Sequence, residues 1–279
     1  FDGLSKESYY KNTGFTGTGE VQFGEGILTN TTGASFGIYD LRSNELSGDA
    51  KRYQPAVYTA GEVVVTNALR IFPSLRYDHY SDLRTGALTG NFGINFRPSG
   101  SKMYFKGRIG NNFSAPTFNQ LHWKNGGNPE LRPERSVNVS FGAGFDAKEF
   151  AGLGMELSYS YINTSDKIVW LPGANGFWTP GNIRSTSADE VTVIANAGGE
   201  ISRSFSVSAN FSATYNTTRK SEPDFSGDVT SGNYLPYVPR WTSKAGLQAS
   251  YKGISGNFFY EHIGERFATF TNNISLASS

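Results

Sequence analysis

The sequence predicts an all-β protein, an antiparallel up-and-down transmembrane β-barrel, on three observations. Apolar and polar residues alternate with period two along segments of about 9 to 17 residues, well beyond the roughly 5 to 6 usual for globular strands. Among 279 residues there are 33 Gly, 21 Phe and 15 Tyr but only 2 Met and no Cys, a composition of strands punctuated by turns. The joints between segments alternate between short and longer, so every second joint lies on the same side, the pattern of short periplasmic turns and long extracellular loops. A soluble antiparallel sheet with one buried face also alternates, so no single strand decides between the two. About twelve long strands with tight turns on one side only are hard to fit into a sandwich, whose strands are shorter.

Residues before Phe15 belong to the end of an earlier loop or strand. Phe15 to Phe23 and Leu28 to Leu41 form the first pair, joined by Gly24-Glu25-Gly26-Ile27, and the polar stretch Ser43 to Arg52 follows. Ala56 to Thr66 and Leu69 to Tyr80 are separated only by Asn67-Ala68; Pro73 removes a ladder donor inside the second of them. After the loop Ser81 to Gly86 come Ala87 to Phe96 and Lys102 to Asn111, joined by Arg97 to Ser101. The longest break in the pattern runs from Asn111 to Ser136, a loop in which Asn128-Pro129 starts a turn and Pro129 and Pro133 lack backbone donors. Val137 to Phe145 and Leu153 to Val169 are joined by Asp146 to Gly152, and a loop is expected from Leu171 to Ala188. Glu190 to Ile201 and Ser204 to Tyr215 meet at Ser202-Arg203, the loop Asn216 to Pro236 follows, and Arg240 to Tyr251 and Ile254 to Phe267 are joined by Lys252-Gly253.

Within Ser204 to Tyr215 one face is Phe205, Val207, Ala209, Phe211, Ala213 and Tyr215, and the other is Ser, Asn and Thr throughout. The apolar face would meet lipid and the polar face a wet lumen, with Tyr80, Tyr161, Trp170, Tyr215, Tyr237, Trp241 and Tyr251 as candidates for the interfacial girdles. Mean hydropathy is −0.40, and no apolar run approaches the roughly 18 to 20 residues of a membrane helix, which leaves a barrel open because its strands show lipid every second residue. A net charge of +1 gives no global field for nucleic acid, so no nucleic-acid partner is expected.

The long break also carries a resemblance. Phe113-Ser114-Ala115-Pro116-Thr117, Leu121-His122-Trp123 and Gly127-Asn128-Pro129-Glu130-Leu131-Arg132-Pro133-Glu134 resemble the barrel signature of TonB-dependent outer-membrane receptors, which import siderophores, cobalamin and similar scarce nutrients. Trp170-Leu171-Pro172 through Thr179-Pro180-Gly181-Asn182-Ile183 resembles a second family segment. The family usually follows it with Gly, an apolar residue and Glu, whereas Ala188-Asp189-Glu190 stands here, so Glu190 alone carries over. The resemblance implies a barrel of roughly 22 strands around a plugged lumen, of which residues 1–279 supply about twelve in the latter part. The plug, the TonB-contacting segment and the terminal strands are then expected outside this chain. The start at Phe1 in mid-pattern and the tail Leu276-Ala277-Ser278-Ser279, without a closing aromatic residue, carry the same expectation. The resemblance further implies the outer membrane of a Gram-negative bacterium, a small-molecule nutrient such as an iron–siderophore complex or cobalamin, energy coupling by the TonB complex through the plug segment, and no enzymatic activity or cofactor. A self-contained barrel acting as a passive channel or adhesin is the alternative.

Nothing in the chain assembles catalytic or metal chemistry. His79, His122 and His262 lack ligand spacing, no cysteine can supply a thiolate, and Gly33-Ala34-Ser35-Phe36-Gly37 has no following helix to make a nucleophile elbow. Ligand contacts are instead expected from aromatic residues in predicted extracellular loops: Phe118, His122, Trp123, Phe177, Trp178 and Tyr234, which could stack on a ring-bearing ligand or simply hold the loops together. Asn128, Pro129, Glu130, Leu131, Arg132, Pro133 and Glu134 are expected to be structural, their charges pairing with neighbouring strands at about 0 to 1 kcal/mol for an exposed pair.

Overall fold

The computed structural model describes residues 7–48, 50–147, 152–172 and 176–279. Parts of the joint expected at 146–152 and of the loop expected at 171–188 lie outside them. The strands are β1 (Tyr10–Glu25), β2 (Leu28–Ser43), β3 (Ala50–Thr66), β4 (Leu69–Tyr80), β5 (Thr85–Phe96) and β6 (Met103–Ser114), followed by a one-turn helix α1 (Phe118–His122). Then come β7 (Glu134–Ala147), β8 (Leu153–Pro172), β9 (Trp178–Ser202), β10 (Phe205–Asn216), β11 (Arg219–Lys220), β12 (Trp241–Tyr251), β13 (Ile254–Ile263), β14 (Arg266–Phe267) and β15 (Ser275–Leu276). Twelve of them pair antiparallel with their neighbours in one path from β1 to β13; β11 adds to the edge of β9, and the path does not close on itself.

Why these segments form strands is visible in their registers. Ala209 pairs with Leu247 and Leu247 with Phe258, an apolar row, while Ser208, Gln248 and Asn257 form the adjacent polar row. Phe211, Leu247, Ile109 and Leu157 are between 44 and 54 % exposed, although a water-facing sheet would hide side chains of this size. The polar face is cross-linked instead: Tyr58 reaches Glu20, Arg76 and Gln54 meet Asp78, and Tyr104 and Lys106 both reach Glu156. Tyr58 can lie across the wall because Gly33 opposes it; a Cβ there would stand 2.7 Å from the ring. The Lys252-Gly253 joint has positive φ at both residues, 47° and 86°, the two-residue geometry that matches strand twist.

Aromatic pairs mark the two limits of the apolar band. Phe205 meets Tyr251 at 6.4 Å at one end, and Tyr215 meets Trp241 at 5.0 Å at the other. From Phe205 to Tyr215 the strand rises about 34 Å at ~3.4 Å per residue, or about 24 Å along the axis at a tilt of ~45°. That matches the roughly 25 Å apolar belt of an outer-membrane barrel. Of the other girdle candidates, Tyr161 lies in β8, whereas Tyr80 packs on Phe113, Trp170 on Trp123, and Tyr237 belongs to a loop.

Several expectations are corrected. The loop expected from Leu171 to Ala188 is largely strand: β8 and β9 pair from Gly154↔Asn196 to Pro172↔Trp178, so a long hairpin projects beyond the Tyr215–Trp241 level. The last long strand stops at Ile263, and Arg266–Phe267 turns away to pair with β15. In the long break, β6 runs on to Ser114, β7 starts at Glu134 rather than Val137, and α1 lies between them. Pro73 does sit within β4: the β3–β4 pairing skips the positions between Ala60↔Ser74 and Val63↔Ile71, so the absent donor faces a gap, while Pro73 pairs with Phe92 on the other side.

One seam in the wall opens toward the long-loop end. β5 pairs with β6 only from Asn91↔Gly110 to Phe96↔Phe105, although β5 pairs with β4 and β6 with β7 along their whole lengths. Asn111 closes the gap with its side chain, accepting from the Gly90 amide at 2.8 Å and donating to the Leu88 carbonyl at 2.9 Å. Asn111→Leu keeps the size and removes both bonds, so it should destabilise the wall by about 1–3 kcal/mol. Equilibrium unfolding of the full-length protein checks this. Asn112→Leu, at the intact β6–β7 edge where the side chain bonds only the Ser136 hydroxyl, should cost less.

Candidate ligand-binding mouth

Among the described residues the buried Leu and Ile side chains are Leu46, Leu121, Leu131, Ile183 and Leu235. None belongs to the band between the aromatic pairs. All lie at the long-loop end, so burial of these larger apolar side chains is confined to the loops and the strand extension beside them.

The first block is built on the 115–133 connection. Thr117 caps α1, accepting from the Gln120 amide, and the Gln120 side chain accepts from the Thr117 amide in return. The neighbouring loop 44–48 bonds along it: the Ser47 amide donates to the His122 carbonyl at 2.8 Å, the Lys124 amide to Glu45 at 2.9 Å, and Leu46 bridges Trp123. Asn128 accepts from the Glu130 amide and donates to the Pro180 carbonyl. Asn182 of β9 clamps the far end: its Oδ1 accepts from the Arg132 amide at 2.9 Å, and its Nδ2 donates to the carbonyls of Arg132 and Asp166. The Arg132 guanidinium pairs with Asp166 at 2.6 Å, and Glu134 accepts from the Ile168 amide at 2.7 Å. Leu131 is buried beneath this network. Asn182→Ala removes three bonds, two of them to the backbone of the loop residue Arg132, and should weaken loop anchoring by about 1–3 kcal/mol. Faster hydrogen exchange across 117–133 with an unchanged barrel is the expected result.

The aromatic candidates do not form one cluster. Trp123 meets Phe177 at 6.2 Å and Trp170 at 6.0 Å, both edge-on. Phe118 lies apart, 5.1 Å under the Arg52 guanidinium, which also holds Asp82 through both oxygens and the Pro116 carbonyl. His122 contributes its carbonyl to the loop contact. Phe177 and Trp178 are 42 and 46 % exposed, enough surface for a ligand to cover.

The second block is the 217–240 loop. β11 pairs with β9, Tyr234 bridges Arg219 and stacks on Phe267 at 5.9 Å, and Asn272 bonds both the amide and the carbonyl of Tyr234. Lys220, 4 % exposed, is held by Asp224, Asp228 and Thr230. Burial opposes its charge, but the hydrogen bonds to the two aspartates outweigh this and raise its pKa. The Lys220 ammonium, the Thr230 hydroxyl and two backbone amides hold the Asp228 carboxyl far below the ordinary range.

Between the β8–β9 hairpin and the second block lies a cavity of about 670 Å³, a size that takes a small molecule. Trp170 and Trp178 line one side, Leu235, Tyr237 and Phe270 the other, and Lys167 is the one charged group among the described residues around it. Of the aromatic residues singled out from the sequence, the cavity contains Trp178. Trp170, Tyr237 and Phe270 join it unexpectedly, the first two because strand-end aromatics also suit a girdle.

The family model described as TonB dependent receptor-like, beta-barrel matches residues 2–278. A vitamin B12 transporter BtuB of Vibrio vulnificus (strain YJ016) is 33 % identical over 108 residues, covering 38 % of this chain and 17 % of that protein. The vitamin B12 transporter BtuB of Photobacterium profundum is 27 % identical over 205 residues, 63 % of this chain and 32 % of that one. The siderophore receptor PiuA from Acinetobacter baumannii superposes with a TM-score of 0.74 at 15 % identity, over 98 % of this chain and 49 % of its own, which is a likeness of fold. The chain thus spans no more than about half the length of these relatives.

Proposed function

The chain belongs to the TonB-dependent receptor β-barrel family, and on that premise we propose that it forms part of the wall and mouth of a Gram-negative outer-membrane receptor that imports a scarce nutrient. The observation that carries this reading is the packed loop superstructure at one end of an otherwise core-less sheet: buried leucines, a bonded signature loop and an aromatic-lined cavity of a size to hold a small molecule. The twelve strands are part of a larger barrel, a reading supported by β1 and β13 remaining unpaired with each other. Loops capture the nutrient, and energy passes from TonB to a plug that lies outside these strands. The wall supplies no chemistry.

The two B12 transporters favour a corrinoid as the first ligand to test, with a ferric siderophore second. Outer membranes carrying the full-length receptor should bind one of them saturably, and Trp178→Ala should weaken that binding about tenfold, as loss of a buried aromatic contact does. Absence of saturable binding for both ligand classes would refute the assignment.

A further inference from the structure

Arg219 and Arg240 converge on Tyr234 without a carboxylate partner. Arg219 lies 4.3 Å and Arg240 5.1 Å from the ring centroid, and Arg266 precedes Phe267, which stacks on the same ring. Arg219 donates to the Tyr234 hydroxyl and Arg240 to the Tyr215 hydroxyl. Among the described residues none of the three takes part in an ion pair. Arg240 and Arg266 line a cleft of about 210 Å³ with Trp241, Phe267 and the single acid Glu265. The Nη1 of Arg266 is buried and has no hydrogen-bond partner.

A buried guanidinium nitrogen without an acceptor is costly, and native structures normally satisfy such groups. Two cations against one acid leave a net positive charge at the cleft, and guanidinium forks match oxyanions geometrically. The aromatic neighbours hold the arginines in place and screen the cleft on one side. Trp241 and Tyr215 also form the upper aromatic pair, so the cleft stands at the level where the apolar band meets the aqueous exterior.

We propose that Arg240 and Arg266 form an oxyanion site at the rim of the barrel that takes a phosphate monoester. The ester is carried either by a lipid headgroup of the surrounding leaflet or by a soluble ligand entering the mouth. Arg240 and Arg266 contact the phosphate directly, and Arg219 fixes Tyr234 as the platform behind it. The site is independent of whether the receptor imports a corrinoid or a siderophore.

The test uses the full-length receptor in two arms. In dodecyl maltoside it is titrated with phenyl phosphate, with phenol as the uncharged control; in phosphatidylcholine nanodiscs, binding of added phosphatidic acid is measured. The expected result is binding in one arm, weakened about tenfold or more by Arg240→Gln with Arg266→Gln, and to an intermediate degree by Arg266→Lys, which keeps the charge and loses the fork. Phenyl phosphate binding identifies a soluble ester and phosphatidic acid binding a headgroup. No binding in either arm, or equal binding by wild type and variants, overturns the site. Heat-modifiable migration of the barrel reports folding, and should the double variant lose it, Arg266→Lys decides alone.

Discussion

Leu247→Arg should destabilise the receptor by about 2–4 kcal/mol, while Gln248→Arg, one residue on, should cost little. Leu247 lies near the middle of the band between the two aromatic pairs, in the apolar row with Ala209 and Phe258. An arginine there must carry its guanidinium roughly 12 Å through hydrocarbon to reach water, half the band height. Gln248 sits in the polar row with Ser208 and Asn257, where a long cation has water and acceptors. Unfolding from lipid bilayers in urea gives both numbers. Equal costs at the two positions would mean that neither face meets lipid.

Lys220→Met should release the 217–236 loop at a cost of about 3–5 kcal/mol, because it leaves Asp228 buried without its counter-charge. The side chains of Lys220 and Asp228 are 5 and 3 % exposed, so water cannot replace the lost partner as it does at a surface pair. The pH dependence follows from the two shifts. Asp228 is depressed below its ordinary 3.8, so its contribution is present above that value and fades as pH falls toward the lower folded value. Lys220 is raised above 10.5, so its contribution is complete below that value and is lost as pH rises through the higher folded one. Between those limits the latch is flat with pH. Hydrogen exchange of the 217–236 amides, corrected for intrinsic rates, should show protection at pH 7 that is lost in Lys220→Met with β10 and residues 190–202 of β9 unaffected.

How legible these features are in the sequence depends on whether the signal is periodic. The strand Leu69 to Tyr80 and the turn at Lys252-Gly253 stand in the structure where alternation and turn residues put them. The hairpin beyond Leu171 is hidden because Pro172, Gly176, Pro180 and Gly181 resemble loop punctuation. Pro180 pairs with Trp170 and offers its carbonyl to Asn128, so a neighbouring loop makes the strand tolerable there. Helix α1 is too short for a 3.6-residue period, yet the Thr117–Gln120 capping box is present in the sequence. Lys220, Asp224 and Asp228 recur every fourth residue in a stretch without strand alternation, where no period of two can find them, and Arg219 and Arg240 meet at Tyr234 only because the loop between them folds back on itself. Alternation places the aromatic candidates at the long-loop end of the sheet, but their division between two blocks depends on loop packing that it does not encode.

The central claim is energy-coupled import, and its most direct measurement is uptake of radiolabelled cyanocobalamin, and in parallel a ferric siderophore, by cells whose only such receptor is the full-length protein, with TonB present or deleted. The expected result is accumulation of one of the two that requires TonB. Uptake equal in both strains would contradict it and make the barrel a passive channel.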